Sequence, residues 1–184
     1  MNRFLSLIAA IFMGVFLMTT QAQAQDPENT LFLDLKNGRV VIELLPDLAP
    51  KHVTRIKQLT REGFYDGLTF HRVIEGFMAQ GGDPDGTGMG GSGVNLPAEF
   101  SREPFARGVL GMARSSDINS GDSQFFIMLG AAPHLNGQYT VWGRVSEGME
   151  FVDRIKKGSS RSNGEIDGEP DKIVRMQVAA DAKD

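Results

Sequence analysis

The sequence predicts a mainly β domain in which about eight short strands form a sandwich or a closed barrel, accompanied by two helices. Three observations support this fold class. Residues 31–45 have the pattern of a β-hairpin, short strand-like segments follow between glycine-rich connections, and two stretches have helical spacing of apolar residues. The chain has 184 residues and no low-complexity linker or internal repeat, so we expect one domain.

The hairpin is the clearest local pattern. In LFLDLKNGRVVIELL, leucines at every second position are followed by Asn37-Gly38, after which the alternation resumes. Asn-Gly between two alternating runs predicts a two-residue turn in which both residues have positive φ. We therefore expect two antiparallel strands that turn at Asn37-Gly38.

Both helices are predicted from apolar residues that recur about every third position. Pro50 opens the first, PKHVTRIKQLTREG, because a proline in the first turn has no N–H to leave unpaired. Gly63 marks its end. The second is expected over Gly148 to Lys156.

The other strands are short and lie between turn signals. Closing them into a barrel would leave no strand edge exposed. The expected segments are 68–74, 76–81, 108–114, 123–129, 139–145 and 172–180.

The first 24 residues have the composition of an export signal. Phe4 to Met18 is apolar, and Ala22-Gln23-Ala24 fits a cleavage site after Ala24. The alternative is a retained anchor, but the apolar run is shorter than the roughly 20 residues that span a bilayer. We expect a signal peptide over 1–24, a short lead over 25–29, the domain over 30–180 and a frayed tail over 181–184. Periplasmic localisation follows, with secretion left open, and membrane contact is limited to the uncleaved signal peptide.

Composition and spacing exclude several kinds of site. The chain has no cysteine and a net charge of −4, so neither disulfides nor nucleic-acid binding is expected. The three histidines have no metal-ligand spacing, and no serine lies in a nucleophile elbow. Gly88-x-Gly90-x-x-Gly93 has dinucleotide-binding spacing, but Pro97 follows where a helix is required. We interpret this segment as a mobile loop at the rim of a site.

Arg72 is the candidate with a specific chemistry. An arginine on a half-apolar strand usually lies on the solvated face. In FHRVIEGFMAQGGD, however, strict alternation places Phe70, Arg72 and Ile74 on one face, with Gln80 nearby to hold the guanidinium. That arrangement is typical of a positioned hydrogen-bond donor.

The segments FHRVIEGFMAQGGD, GTG, GMAR and SQFFI resemble the cyclophilin family of peptidyl-prolyl cis-trans isomerases over nearly the whole chain after the signal segment. MARSSDINSGDSQFFI resembles its bacterial branch. The resemblance implies a closed eight-stranded antiparallel β-barrel capped by two α-helices, with the active groove on the outer wall. It also implies isomerisation of X-Pro bonds in proline-containing polypeptides, without a metal or cofactor.

The resemblance assigns roles to individual positions. Arg72, Gln80 and Phe77 match the catalytic residues, and Phe77 also belongs to the proline pocket. The rest of that pocket matches Met78, Phe126 and Leu135. Positions that grip the residues flanking proline match Ile74, Gly86, Ala113, Arg114, Ser115 and Gln124. His134 and Tyr139 fall at further pocket positions.

Two of these positions depart from the cyclosporin-binding eukaryotic members, which have Trp where this chain has His134 and His where it has Tyr139. We therefore expect weak cyclosporin binding and retained catalysis. Trp142 is expected to pack within the fold. We also expect a monomer that assists the folding of exported proteins. The alternative function is a proline-peptide-binding chaperone module with incidental isomerase activity.

Overall fold

The computed structural model describes residues 26–183, so the predicted signal peptide lies outside the described residues. No helix within 26–183 has both the length and the apolar composition needed to cross a bilayer. The strands are β1 (Thr30–Leu35), β2 (Gly38–Leu44), β3 (Arg72–Ile74), β4 (Met78–Gly81), β5 (Val109–Met112), β6 (Phe125–Met128), β7 (Val141–Glu147) and β8 (Ile173–Val178), and the α-helices are α1 (Pro50–Arg61) and α2 (Met149–Asp153).

One curled sheet contains all eight strands in the order β3-β4-β6-β5-β7-β2-β1-β8, and each paired neighbour is antiparallel. The mainly β prediction is confirmed. Full closure is not, because β3 and β8 are the two ends of the ladder. Between them runs the irregular segment 67–70, where Phe70 N–H donates to the Asp171 carbonyl at 2.9 Å and Thr69 forms an isolated bridge with Lys172.

The β1–β2 hairpin turns one residue earlier than predicted. Leu35 pairs with Gly38, so Lys36 and Asn37 form the turn, and Asn37 does not have positive φ. This register places Asp34 opposite Arg39, whose Nε and Nη2 donate to the carboxylate at 2.7 and 3.0 Å. Gly38 (φ +146°) lies against the Phe151 ring, where a Cβ would overlap ring carbons. The ion pair and this close contact explain the shifted turn.

The sheet has two apolar faces because its strands alternate. Phe125 and Ile127 of β6 belong to the main core inside the curl, whereas Phe126 and Met128 belong to a second cluster on the outer face. Trp142 is fully buried, which confirms that it packs within the fold. The outer cluster supplies the apolar wall of the site described below.

Helix α1 begins at Pro50 and ends before Gly63, which has φ +69°, as predicted. Its N-terminus is capped from far along the chain: Glu99 accepts the N–H groups of Lys51 and His52, each at 3.1 Å, and the Nδ1 of His52 at 2.7 Å. Burial lowers the pKa of His52 even though Glu99 acts in the opposite direction, so a neutral imidazole donates to an ionised carboxylate.

Helix α2 is shorter than predicted. It ends at Asp153 rather than Lys156. The chain leaves the helical path because Lys156 N–H donates to Asp171 at 2.8 Å, while Ile155 is still buried in the core.

Candidate active site

The outer face of β3, β4 and β6 brings the central site residues together. Arg72 pairs with Gln80 across β3 and β4, and Gln80 pairs with Phe126 across β4 and β6. The predicted strict alternation before Arg72 is wrong, because Phe70 is fully buried in the main core with Val73. Strand pairing of β3 begins only at Arg72, so the period-two pattern does not extend back to Phe70.

The Arg72 guanidinium is held at all three of its nitrogens. Nη1 donates to Gln80 Oε1 at 3.1 Å, Nε donates to the Asn163 carbonyl at 2.9 Å, and Nη2 donates to Asn163 Oδ1 at 3.0 Å. A guanidinium has five N–H donors, and these bonds use three of them. One N–H on each terminal nitrogen is left for a ligand.

Arg72 remains charged at this half-buried position. Burial lowers the pKa of Arg72, but a guanidinium does not deprotonate in proteins. The partial removal of water strengthens the field that the charge exerts on nearby polar atoms. The site therefore presents a fixed cationic donor.

Amide side chains extend this hold toward the glycine-rich loop. Gln80 Nε2 donates to Gln124 Oε1 at 3.0 Å, and Gln124 Nε2 donates to the Gly90 carbonyl at 2.8 Å. The relay fixes the Gln80 amide so that its oxygen faces Arg72. Gln80 therefore orients the guanidinium.

An apolar pocket lies beside Arg72. Its lining includes Phe77, Met78, Phe126 and Leu135. Phe126 is 5% exposed, packs against Phe105 and makes an edge contact with Tyr139 at 5.7 Å between ring centroids. The ring faces Gly111 on β5, where a Cβ would overlap it. A small ring such as proline can be clamped between these stiff aromatic surfaces.

Most of the predicted site residues line one groove of about 480 Å³, and a second hollow of about 310 Å³ adjoins it. Gln80, Ala113 and Arg114 line both. The first groove also contains the predicted residues Arg72, Phe77, Met78, Gly86, Phe126, Leu135 and Tyr139. The second contains Ser115 and Gln124.

Two predicted residues line neither groove. Ile74 packs against the outer apolar cluster, and His134 stacks on Phe77 with ring centroids 5.8 Å apart. His134 is exposed, and it supports the pocket wall through this stacking contact with Phe77.

Arg114 is bound to the protein at the groove rim. Nε and Nη2 donate to the Gln138 carbonyl, Nη1 donates to the Ser115 carbonyl, and the guanidinium lies 4.5 Å from the centre of the Tyr139 ring. These contacts fix Tyr139 as one wall of the groove.

The glycine-rich loop lies at the rim of the site, as predicted, since Gly86 and Gly88 line the groove; its mobility stays a prediction. Asp83, which is 1% exposed, holds the loop by accepting the N–H groups of Asp85 at 2.9 Å and of Gly88. Burial alone would raise the pKa of Asp83, but the backbone donors lower it below its ordinary value.

Sequence reasoning missed several groove residues. His71, Thr87, Ser162, Asn163 and Glu165 line the groove. Asn163-Gly164 is a turn signal in the sequence. No pattern in the sequence links that turn to Arg72, which lies 91 positions before Asn163.

Comparison with known proteins gives a consistent picture. A family model described as "Cyclophilin type peptidyl-prolyl cis-trans isomerase/CLD" matches residues 30–178. A Brucella suis protein named "Probable peptidyl-prolyl cis-trans isomerase" is 54% identical over 191 residues, covering 97% of this chain and 97% of that protein. "Peptidyl-prolyl cis-trans isomerase B" of Bacillus subtilis is 43% identical over 139 residues, covering 74% of this chain and 96% of that protein.

Solved structures of similar fold point the same way. A cyclophilin from Hirschia baltica has a TM-score of 0.76 at 29% identity, covering 86% of this chain and 76% of its own. A Cryptosporidium parvum cyclophilin-type isomerase, crystallised in the presence of the dipeptide Ala-Pro, has a TM-score of 0.73 at 31% identity, covering 81% of this chain and 98% of its own.

Proposed function

This chain belongs to the cyclophilin-type peptidyl-prolyl cis-trans isomerases, and from that premise we propose that X-Pro bonds rotate in the groove beside Arg72. The observation that carries the proposal is a guanidinium held at three nitrogens at the edge of an apolar pocket. Binding a proline ring needs only the pocket. A fixed charged donor beside the pocket supports catalysis.

The reaction requires rotation without bond cleavage. The partial double bond of the amide sets a barrier of roughly 18–20 kcal/mol. In the twisted transition state, resonance is lost and the proline nitrogen regains a lone pair. The free N–H groups of Arg72 donate to that nitrogen in the twisted form and not in either planar form. An interaction stronger in the transition state than in the ground state accelerates the reaction.

The required stabilisation is within reach of this site. A 10⁵-fold acceleration corresponds to about 7 kcal/mol. Preorganised donors in a partly desolvated site supply several kcal/mol of this kind. Phe77 and Phe126 hold the ring while the preceding carbonyl swings, and this positioning adds to the effect of the charge.

The adjoining hollow receives the residues that flank proline. It shares Gln80, Ala113 and Arg114 with the main groove, so an extended peptide can cross from one to the other. In this proposal, Ser115 and Gln124 contact residues that flank the proline.

The biological role in this proposal is to speed the folding of exported proteins. The apolar run from Phe4 to Met18 and the Ala22-Gln23-Ala24 site support export to the periplasm. Cell fractionation and N-terminal sequencing test this: a periplasmic protein that starts at Gln25 supports it, and a cytoplasmic protein with an intact N-terminus contradicts it.

Weak cyclosporin binding and a monomeric state belong to the same proposal. His134, at the position of the tryptophan in cyclosporin-binding members, is exposed, stacks on Phe77 and lines neither groove. Titration calorimetry with cyclosporin and sedimentation velocity test the two points. Nanomolar affinity contradicts the first, and a stable dimer contradicts the second.

We further propose that the sheet closes into a barrel. Gly67 N–H donates to the Ile173 carbonyl and Ile173 N–H donates to the Leu68 carbonyl, each at 2.8 Å, and this link between β8 and the segment that leads into β3 supports the proposal. Hydrogen exchange tests this: protection of both amides at the level of the β1–β2 ladder supports closure, and rapid exchange contradicts it.

The decisive variant is Arg72→Ala, with Arg39→Ala as a control that removes an exposed arginine paired with Asp34. The Arg72 variant is expected to lose isomerisation by at least two orders of magnitude, while the control keeps it. If the Arg72 variant keeps wild-type isomerisation, the proposed role of Arg72 is wrong. If it loses isomerisation but still supports the folding of client proteins as well as wild type does, the alternative of a proline-binding chaperone is favoured.

A further inference from the structure

The connection between α2 and β8 lies along the open side of β3. Val73 N–H donates to the Gly164 carbonyl at 2.7 Å, Gly158 N–H donates to the Val73 carbonyl at 2.9 Å, and Arg72 forms an isolated bridge with Glu165. The connection thus pairs with the strand that carries Arg72. Its position is tied to the backbone of that strand.

Asn163 stands out within this connection by its backbone. Its φ of 54° and ψ of 33° are left-handed, and no other non-glycine residue within 26–183 has positive φ. Asparagine tolerates this conformation better than most residues, yet the conformation still carries a cost. Residues in such conformations persist only where the surrounding structure over-determines them, and they cluster at functional sites.

The left-handed turn directs two acceptors of one residue at one guanidinium. The Asn163 carbonyl accepts from Nε at 2.9 Å, and its Oδ1 accepts from Nη2 at 3.0 Å. The pair of bonds restrains both the position and the plane of the guanidinium. Gln80 alone, bound at Nη1, would leave the plane free to tilt about a single contact.

Gly164 holds Asn163 at this place. Gly164 has φ +84°, and a Cβ there would overlap Ile74 and crowd the backbone of Val73. The chain after Asn163 therefore lies directly on β3 and cannot shift sideways without losing the Val73–Gly164 hydrogen bond.

We propose that Asn163 is a positioning residue for the isomerisation: its carbonyl and side chain set the Arg72 fork so that the free N–H groups point into the groove. This rests on the proposed role of Arg72. Asn163 acts through Arg72, and the proline pocket does not depend on it. Its loss is therefore expected in kcat, with KM nearly unchanged.

The test uses Asn163→Gly, which keeps the carbonyl and suits the left-handed backbone but removes Oδ1. Asn163→Asp is the conservative variant that retains Oδ1. Ser160→Gly, at an exposed position of the same connection, controls for added backbone freedom. We expect a roughly tenfold lower kcat for Asn163→Gly, KM within about twofold, and activity within about threefold of wild type for Asn163→Asp and Ser160→Gly.

A double-mutant cycle completes the experiment. In the Arg72→Ala background, Asn163→Gly is expected to have no further effect on kcat, since its effect passes through Arg72. The inference is overturned if Asn163→Gly alone stays within twofold of wild type, if it raises KM with kcat unchanged, or if its effect is undiminished without Arg72. If Arg72→Ala itself retains full activity, the proposed catalytic role of Arg72 is wrong. That result can be told apart from the failure of the proposed role of Asn163, in which Arg72→Ala loses activity and Asn163→Gly does not.

Discussion

Asp83→Asn tests whether one buried carboxylate holds the glycine-rich rim of the groove. Asp83 is 1% exposed and accepts the N–H groups of Asp85 and Gly88. Hydrogen bonds to a charged group contribute about 1.5–3 kcal/mol each, and the asparagine would keep one acceptor while turning its NH₂ toward the other donor. We expect the variant to lose about 2–4 kcal/mol of unfolding free energy at neutral pH.

Acid pH gives an independent check on the same residue. Because the pKa of Asp83 is lowered in the folded protein, its stabilising effect is fully present above the ordinary value of 3.8 and is lost as the pH falls through the folded value. The difference between wild type and Asp83→Asn is therefore expected to shrink in acid.

Urea unfolding measures both effects, with peptide KM as the functional readout because Gly86 and Gly88 line the groove. Asp85→Asn is the matched control, since Asp85 is an exposed carboxylate in the same loop. Equal stability of the two variants at neutral pH, or a difference between wild type and Asp83→Asn that does not change with pH, would show that the Asp83 carboxylate does not hold the loop.

Three further predictions use other parts of the site and fold. Phe126→Ala should lower the free energy of unfolding, measured in urea, by about 3–5 kcal/mol and should also lower turnover. Turnover at the wild-type rate would show that Phe126 does not belong to the proline pocket. Gly111→Ala should displace the Phe126 ring, because the added Cβ would overlap it, and should lower activity more than stability. A crystal structure of the variant with the ring in its wild-type position would contradict this prediction. Wild type should lose stability as the pH falls through 6.5. Burial lowers the pKa of His52 in the folded protein, so below that pH the unfolded chain binds a proton at His52 that the folded chain does not. His52→Asn, which can still donate to Glu99, should lessen that slope between about pH 7.5 and about pH 5.5; an unchanged slope contradicts it.

Local patterns predicted the secondary structure well where the physics is local. The run of alternating leucines gives β1, and Pro50 and Gly63 bound α1. The hairpin turn was misplaced because its register depends on contacts beyond the turn. Gly38 must lie under Phe151, which comes more than a hundred positions later.

The site residues that lie close together in the sequence could be predicted, whereas those contributed by distant parts of the chain could not. Arg72, Met78 and Gln80 lie within one β-hairpin, so their shared face follows from alternation. Phe70 does not follow that alternation, because its ring packs in the main core at a position that precedes the start of β3. Asn163 reaches Arg72 only through tertiary packing, which sequence periodicity does not encode.

The most direct test of the central claim is the rate of cis-trans exchange in an enzyme-bound Ala-Pro peptide, measured by NMR exchange spectroscopy at saturation for wild type and Arg72→Ala. We expect the variant to bind the peptide with similar affinity while exchange in the bound state slows by at least about a hundredfold, which corresponds to about 2.7 kcal/mol of lost transition-state stabilisation. Bound-state exchange at the wild-type rate, or a loss that lies entirely in affinity, would contradict it.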